Sequence, residues 1–282
     1  MAAPATTRLG AVSYLNAKPL LDGLDGEGVD LTLDVPSALL DGLVGGRFDA
    51  ALCPVIDLFS SPVPLRILPV GGIGCLGPTL TVRLFSRVPI RRLTSVAVDT
   101  DSHTSVGLLR CLLHRRLGRV PELAAEPMQR ADLAAGVPGG HDAALLIGDK
   151  VVTHEPPRAL FPHQMDLGGE WTATRGLPFL FAAWLTPHAR LPPPRGLTRR
   201  MDSLRRRNLQ RVPELARLHA ARLGWPEALA AEYMGRILCY DTGPRQLEAV
   251  AAYGRELAAL GVIPPGAADR PLLELPEPAS VS

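Results

Sequence analysis

The sequence predicts an α/β protein of two lobes with a helical C-terminal region. Short apolar runs alternate with helix-patterned stretches through the first third of the 282 residues. A second series of the same kind begins near residue 95, and an apolar run at 178–185 is long enough to return the chain to the first unit. Alternation of this kind implies βαβ units with largely parallel strands. The expected division is 1–84 plus 185–282 for one lobe and 85–184 for the other, with crossings near 85 and 184.

The elements follow in order. Residues 9–14 read as a strand and 19–23 as a short helix, because Pro19 suits a first helical turn, where its missing N–H costs nothing. A strand at 30–35 leads into a helix at 36–45. A buried strand at 49–53 then turns into a helix at 54–59. Residues 80–85 form the next strand. In the second unit, 95–98 is a strand, 99–102 a polar turn, and 104–117 a helix burying Val106, Leu109, Leu113 and Leu117. A strand at 143–147 precedes Gly148-Asp149. The region 190–211 holds eight arginines against the single Asp202. It reads as a solvated helix rather than a nucleic-acid arm, because aromatics are absent and Leu197, Met201 and Leu204 give it an apolar side. Leu247, Val250, Ala251, Gly254 and Leu257 mark a packing helix, and the proline-rich tail from Pro264 reads as loosely held.

Composition narrows the function. Hydrophobic residues make up 46%, enough for a sizeable core, and the net charge of +2 does not suit a chain that coats nucleic acid or acidic membrane. No apolar run reaches the ~18 residues of a membrane span, and residues 1–7 lack the features of a secretory signal. A cytoplasmic location is expected. Cys53, Cys75, Cys111 and Cys239 are scattered without ligand spacing, so neither a disulfide framework nor a metal site is expected. Cys53 and Cys111 read as small buried hydrophobes.

Ligands of open α/β sheets bind where loops converge beyond the carboxyl ends of the strands. Here those loops are 13–18, 53–56, 79–81, 99–105 and 148–150. The first, Ser13-Tyr14-Leu15-Asn16-Ala17-Lys18, offers a hydroxyl, a phenol and a carboxamide where backbone N–H groups point outward. Taken alone, Asn16 is an N-cap candidate; crowded with Ser13 and Lys18 at one strand end, it becomes a ligand candidate. The run Asp99 to Ser105 precedes a well-patterned helix, where Thr104 and Ser105 can cradle a carboxylate or phosphate and His103 reads as a turn residue. Gly71-Gly72-Ile73-Gly74 matches no phosphate-loop pattern. Nothing in the set demands a cofactor. The mix suits gripping a small carboxylate-bearing molecule more than side-chain acid–base work.

Several blocks carry a resemblance. In order they are 13–20 (SYLNAKPL), 34–37 (DVPS), 48–54 (FDAALCP), 84–89 (LFSRVP), 99–109 and 143–149 (AALLIGD). They resemble the motifs of the MqnA family, the chorismate dehydratase of the futalosine route to menaquinone. The similarity spans about residues 9–185 and continues more weakly beyond. It implies the two-lobed fold of type 2 periplasmic binding proteins in a cytosolic enzyme, each lobe a mainly parallel sheet flanked by helices. It also implies a hydro-lyase that removes water from chorismate to give 3-[(1-carboxyvinyl)oxy]benzoate, without metal or cofactor.

The resemblance assigns Asn16 and Thr81 as catalytic. Asn16 takes the family's asparagine, and Thr81 stands where the family's Gly-Pro-x-x-Ser-Val stretch has serine, here Gly77-Pro78-Thr79-Leu80-Thr81-Val82. Thr104 and Ser105 would hold a carboxylate, the loop Cys53-Pro54-Val55 would line the first lobe, and Ser13 and Tyr14 would complete the substrate site. A carboxylate of chorismate itself would remove the ring proton. The sister enzyme, 1,4-dihydroxy-6-naphthoate synthase, uses a catalytic histidine, for which His154 is the nearest candidate here. A cytosolic carboxylate-binding protein without catalysis is the other alternative.

Overall fold

A computed structural model describes residues 6–26, 28–99, 103–126, 136–189 and 195–273. Two sheets organise them. The first has the order β11-β4-β10-β3-β1-β2, from β1 (Thr7–Ala11), β2 (Val29–Leu33), β3 (Ala50–Pro54), β4 (Leu65–Cys75), β10 (Phe179–Pro187) and β11 (Leu238–Cys239). The second has the order β7-β6-β8-β5-β9, from β5 (Val82–Ser86), β6 (Ser95–Asp99), β7 (Glu122–Glu126), β8 (Ala143–Ile147) and β9 (His163–Asp166). The α/β architecture read from the sequence is present. The division points expected at 84/85 and 184/185 fall inside β5 and β10.

Both sheets are mixed rather than mainly parallel. The parallel pairs are β1–β2, β1–β3, β6–β7 and β6–β8, while β10 runs antiparallel to β3 and β4, and β5 antiparallel to β8 and β9. The reason is connectivity. Strand β5 enters from the first sheet through residues 76–81 and β10 from the second through the helix Leu167–Arg175, so neither follows a crossover within its own sheet, and each lies antiparallel to its neighbours. This matters for the site, because β5 begins where β8 ends: Val82 pairs with Ile147, and the Gly148 amide donates to the Thr81 carbonyl at 2.8 Å.

Strand β4 is absent from the sequence reading, which weighed only Gly71-Gly72-Ile73-Gly74 where eleven residues of strand run. The glycines are what allow it to pass. A Cβ on Gly72 would lie 2.6 Å from the Ala182 carbonyl oxygen, and one on Gly74 2.5 Å from that of Phe179. On the opposite edge of β4, the Leu272 carbonyl accepts the Ile67 amide at 2.9 Å, and Ala267 is buried. The part of the tail up to residue 273 therefore packs against the first sheet rather than hanging loose, and residues 274–282 lie outside the described residues.

Helix α1 (Lys18–Leu21) follows a 3-10 turn at Leu15–Ala17, and α2 is Pro36–Val44, α3 Asp57–Ser60 and α4 His103–Leu117. The buried side of α4 is broader than the stripe expected. It takes in Gly107, Leu108, Leu112 and Cys111, while Val106 and Leu117 are half-buried. Helix α5 (Lys150–Thr153) follows β8, α6 (Leu167–Arg175) follows β9, and α7 (Arg195–Gln210), α8 (Val212–His219), α9 (Glu227–Glu232) and α10 (Pro244–Ala259) make up the helical region. The arginine-rich helix buries Leu197, Met201 and Leu204. Its cations serve structure: Arg205 bridges Asp202 and Asp241, and Arg200 donates to the Leu24 carbonyl. Residues 190–194 lie outside the described residues. No described helix is long and apolar enough to cross a membrane.

Candidate active site

The ends of β1, β3 and β8 and the start of β5 converge on a cleft. Its walls come from both sheets and from the helical region: Val12, Tyr14 and Asn16 after β1, Leu52 and Pro54 of β3, Thr79, Thr81 and Val82, His103 to Ser105, Ile147 and Gly148, and Tyr233. Of the residues expected to bind, the structure brings together Tyr14, Asn16, Pro54, Thr81, Thr104 and Ser105. Ser13 is exposed outside the cleft lining. Cys53 and Val55 are fully buried behind it. The Val55 amide donates to the Phe181 carbonyl at 2.9 Å, and burial pushes the Cys53 thiol well above its usual range. The alternation along β3 explains the split, since successive residues face opposite sides of a strand.

Asn16 is not a cap. The N-cap position of the 3-10 turn is Tyr14, and no side chain caps that turn or α1. The Asn16 carboxamide instead lines the cleft together with the Tyr233 phenol, and its Oδ1 is buried with no partner. A buried orphan acceptor on a cleft wall is costly unless a ligand completes it. Lys18 is outside the cleft lining, and burial lowers its ammonium from the usual lysine range. Asp149, raised by burial, takes the Trp225 indole N–H at 2.9 Å and the Leu15 amide. It thus ties the first turn to the helical region.

Thr81 is placed by a braced turn. Leu80 holds a left-handed φ of 68°, unusual for a branched side chain. The Asp166 carboxylate accepts the Thr79 and Leu80 amides at 2.9 Å each, and it also caps α6 through the Gly169 amide at 3.0 Å. Strain held by surrounding bonds is characteristic of functional positions. The Thr81 hydroxyl then lies 2.6 Å from the phenol oxygen of Tyr233.

The start of α4 docks on the first sheet's side. The Ile56 amide donates to the Thr104 hydroxyl at 3.2 Å, and the Tyr253 hydroxyl donates to the Thr104 carbonyl at 2.8 Å. The Thr104 side chain, expected to hold a ligand carboxylate, is thus engaged in joining the two halves. His103 is more than a turn residue: its ring lines the cleft, and Nδ1 lies 3.6 Å from the buried carboxylate of Asp57. Among the described residues lining the cleft, the ionisable side chains are Tyr14, His103 and Tyr233.

Sequence reasoning missed Tyr233, which sits in a π-helical turn, Tyr233–Ile237, far from any motif block. No local pattern marked it. His154 is outside the cleft lining, with the Thr153 hydroxyl 2.6 Å from its Nδ1.

A family model described as menaquinone biosynthesis matches residues 7–259. The chain belongs to the menaquinone-biosynthesis family. A relative from Thermus thermophilus bearing the name chorismate dehydratase is 31% identical over 241 residues, covering 80% of this chain and 86% of its own. Solved structures show the fold of this family member. The alkanesulfonate-binding protein SsuA of Xanthomonas axonopodis, bound to MOPS, superimposes with a TM-score of 0.68 at 16% identity, covering 94% of this chain and 96% of that one. A Candida albicans protein described as having the generic periplasmic binding protein structural fold gives 0.65 at 12% identity, with 96% and 98% covered. The two-lobed binding-protein fold implied by the sequence resemblance is therefore the fold found.

Proposed function

We propose that this protein is a cytoplasmic chorismate dehydratase, a hydro-lyase that forms 3-[(1-carboxyvinyl)oxy]benzoate. The single observation carrying this reading is the convergence of Asn16, Thr81 and Tyr233 in a cleft whose described lining holds no carboxylate. Elimination removes the hydroxyl from the ring carbon beside the enolpyruvyl ether and the proton from the ether-bearing carbon. The C–H bonding pair becomes the new ring double bond, and the C–O pair leaves with oxygen. Aromatisation supplies the driving force, so the protein's task is orientation and exclusion of competing rearrangements. A carboxylate of the substrate is the base, which fits a lining rich in hydroxyls and amides. The Asn16 Oδ1 acceptor and the Thr81 hydroxyl engage the departing hydroxyl group. Pro54, Tyr14 and Ser105 line the rest of the bound molecule, and the first turn of α4 faces a carboxylate with its N-terminal amides.

The two sheets are the cores of two lobes that close over the substrate, the chain passing between them at 76–81 and 167–178. The sister synthase reading is disfavoured by the position of His154. A non-catalytic carboxylate-binding protein is the remaining rival. Incubating the purified protein with chorismate and following the appearance of an aromatic product separates the dehydratase from both.

A further inference from the structure

We propose that Tyr233 is a positioning residue of the reaction centre, turning the proton of the Thr81 hydroxyl toward the substrate. The inference rests on the dehydratase reading and adds a group from the helical region to it. Tyr233 is 1% exposed, and its ring stacks on Trp225 at 4.8 Å and 21°. Trp225 is itself anchored by its indole N–H on Asp149 at 2.9 Å. The phenol oxygen is therefore fixed where the two halves of the molecule meet. A π-helical turn places it there, an element that recurs at functional sites.

Proton counting gives the direction. A hydroxyl has one proton to donate. Of the two hydroxyls, 2.6 Å apart, the phenol is far the stronger acid and so the better donor, and its proton goes to Thr81 Oγ1. The proton of Thr81 is then left for the cleft. Asn16 lines the same space, and its Oδ1 is a buried acceptor without a partner. One donor and one acceptor side by side match an alcohol, which both gives and takes a hydrogen bond. As the C–O bond lengthens, charge grows on the departing oxygen and the Thr81 bond strengthens. No proton leaves Thr81: the proton taken from the ether-bearing carbon ends on the departing hydroxide, giving water. Burial keeps the phenol protonated throughout.

Tyr233→Phe removes one oxygen and leaves the ring stacked on Trp225. Steady-state kinetics with chorismate are expected to show kcat reduced about 10- to 100-fold with KM within about 2-fold. The Thr81→Ala/Tyr233→Phe double variant is expected to be no slower than Thr81→Ala alone, because Tyr233 acts through Thr81. Thermal melts of each variant report folding separately. If wild type forms no aromatic product, the inference falls together with the dehydratase reading. If wild type turns over and Tyr233→Phe keeps its kcat, or the two losses multiply, the inference falls alone.

Discussion

At the residue scale, function rests on three neutral groups rather than on a charge. Lys18, the cation of the first motif, is outside the cleft lining, while Asn16 lines it with Thr81 and Tyr233, whose hydroxyls lie 2.6 Å apart. Asn16→Ala and Thr81→Ala should each lower kcat about 100-fold, the usual effect of removing one oriented polar group from a developing oxyanion. Thr81→Ser should stay within about 3-fold of wild type, since the hydroxyl is kept; a larger loss in a kinetic comparison would give the threonine methyl a role of its own. Asp57 predicts a pH effect on stability. Burial raises its carboxyl above the ordinary 3.8, with His103 opposing. A raised folded value means that its contribution is fully present below 3.8 and is lost as pH climbs through the raised value. Asp57→Asn no longer titrates, so its melting temperature relative to wild type should rise between about pH 4 and pH 7. A constant difference across that range would contradict the burial argument.

At the element scale, the short βαβ units of the first third were legible because their apolar runs and turn residues agree locally. Strand β8 matches its expected bounds, 143–147, residue for residue. Strand β4 was illegible for a physical reason. The run Gly71-Gly72-Ile73-Gly74 carries no strand pattern, yet Gly72 and Gly74 are demanded by close passage against β10, a long-range contact with no local trace. Gly72→Ala should therefore destabilise the fold by about 1–3 kcal/mol, read as a lower urea midpoint. The candidate site divides the same way. Asn16, Thr81 and the start of α4 sit in contiguous motifs, whereas Tyr233 reaches the cleft only through tertiary packing. The brace on Thr81 was equally hidden. Asp166 accepts two amides of the strained turn and one of α6. Asp166→Ala should cost about 1–3 kcal/mol in stability and lower kcat more than it changes KM, because it loosens the turn that aims Thr81.

At the scale of the whole molecule, each half contributes what the other lacks. The first sheet supplies Asn16, the second supplies Thr81 and the start of α4, and the helical region supplies the tyrosine that lines the cleft with both catalytic candidates. Such an arrangement is completed by closure, a motion typical of two-lobed binding folds. Small-angle scattering should show a smaller radius of gyration with substrate or product bound than without. The connection between sheets also explains why fold and function came from different parts of the sequence. Alternating patterns gave the α/β class, but the mixed strand order followed from the two crossings between sheets, which no periodicity encodes.

The central claim is that this cleft eliminates water from chorismate without a protein carboxylate as base. Its most direct test is a proton NMR time course of purified wild-type protein with chorismate. The account predicts loss of the ring methine signals and growth of a meta-substituted benzoate with the enolpyruvyl protons retained, and loss of that conversion in Asn16→Ala. Chorismate left unchanged, or consumed with release of pyruvate, would contradict it.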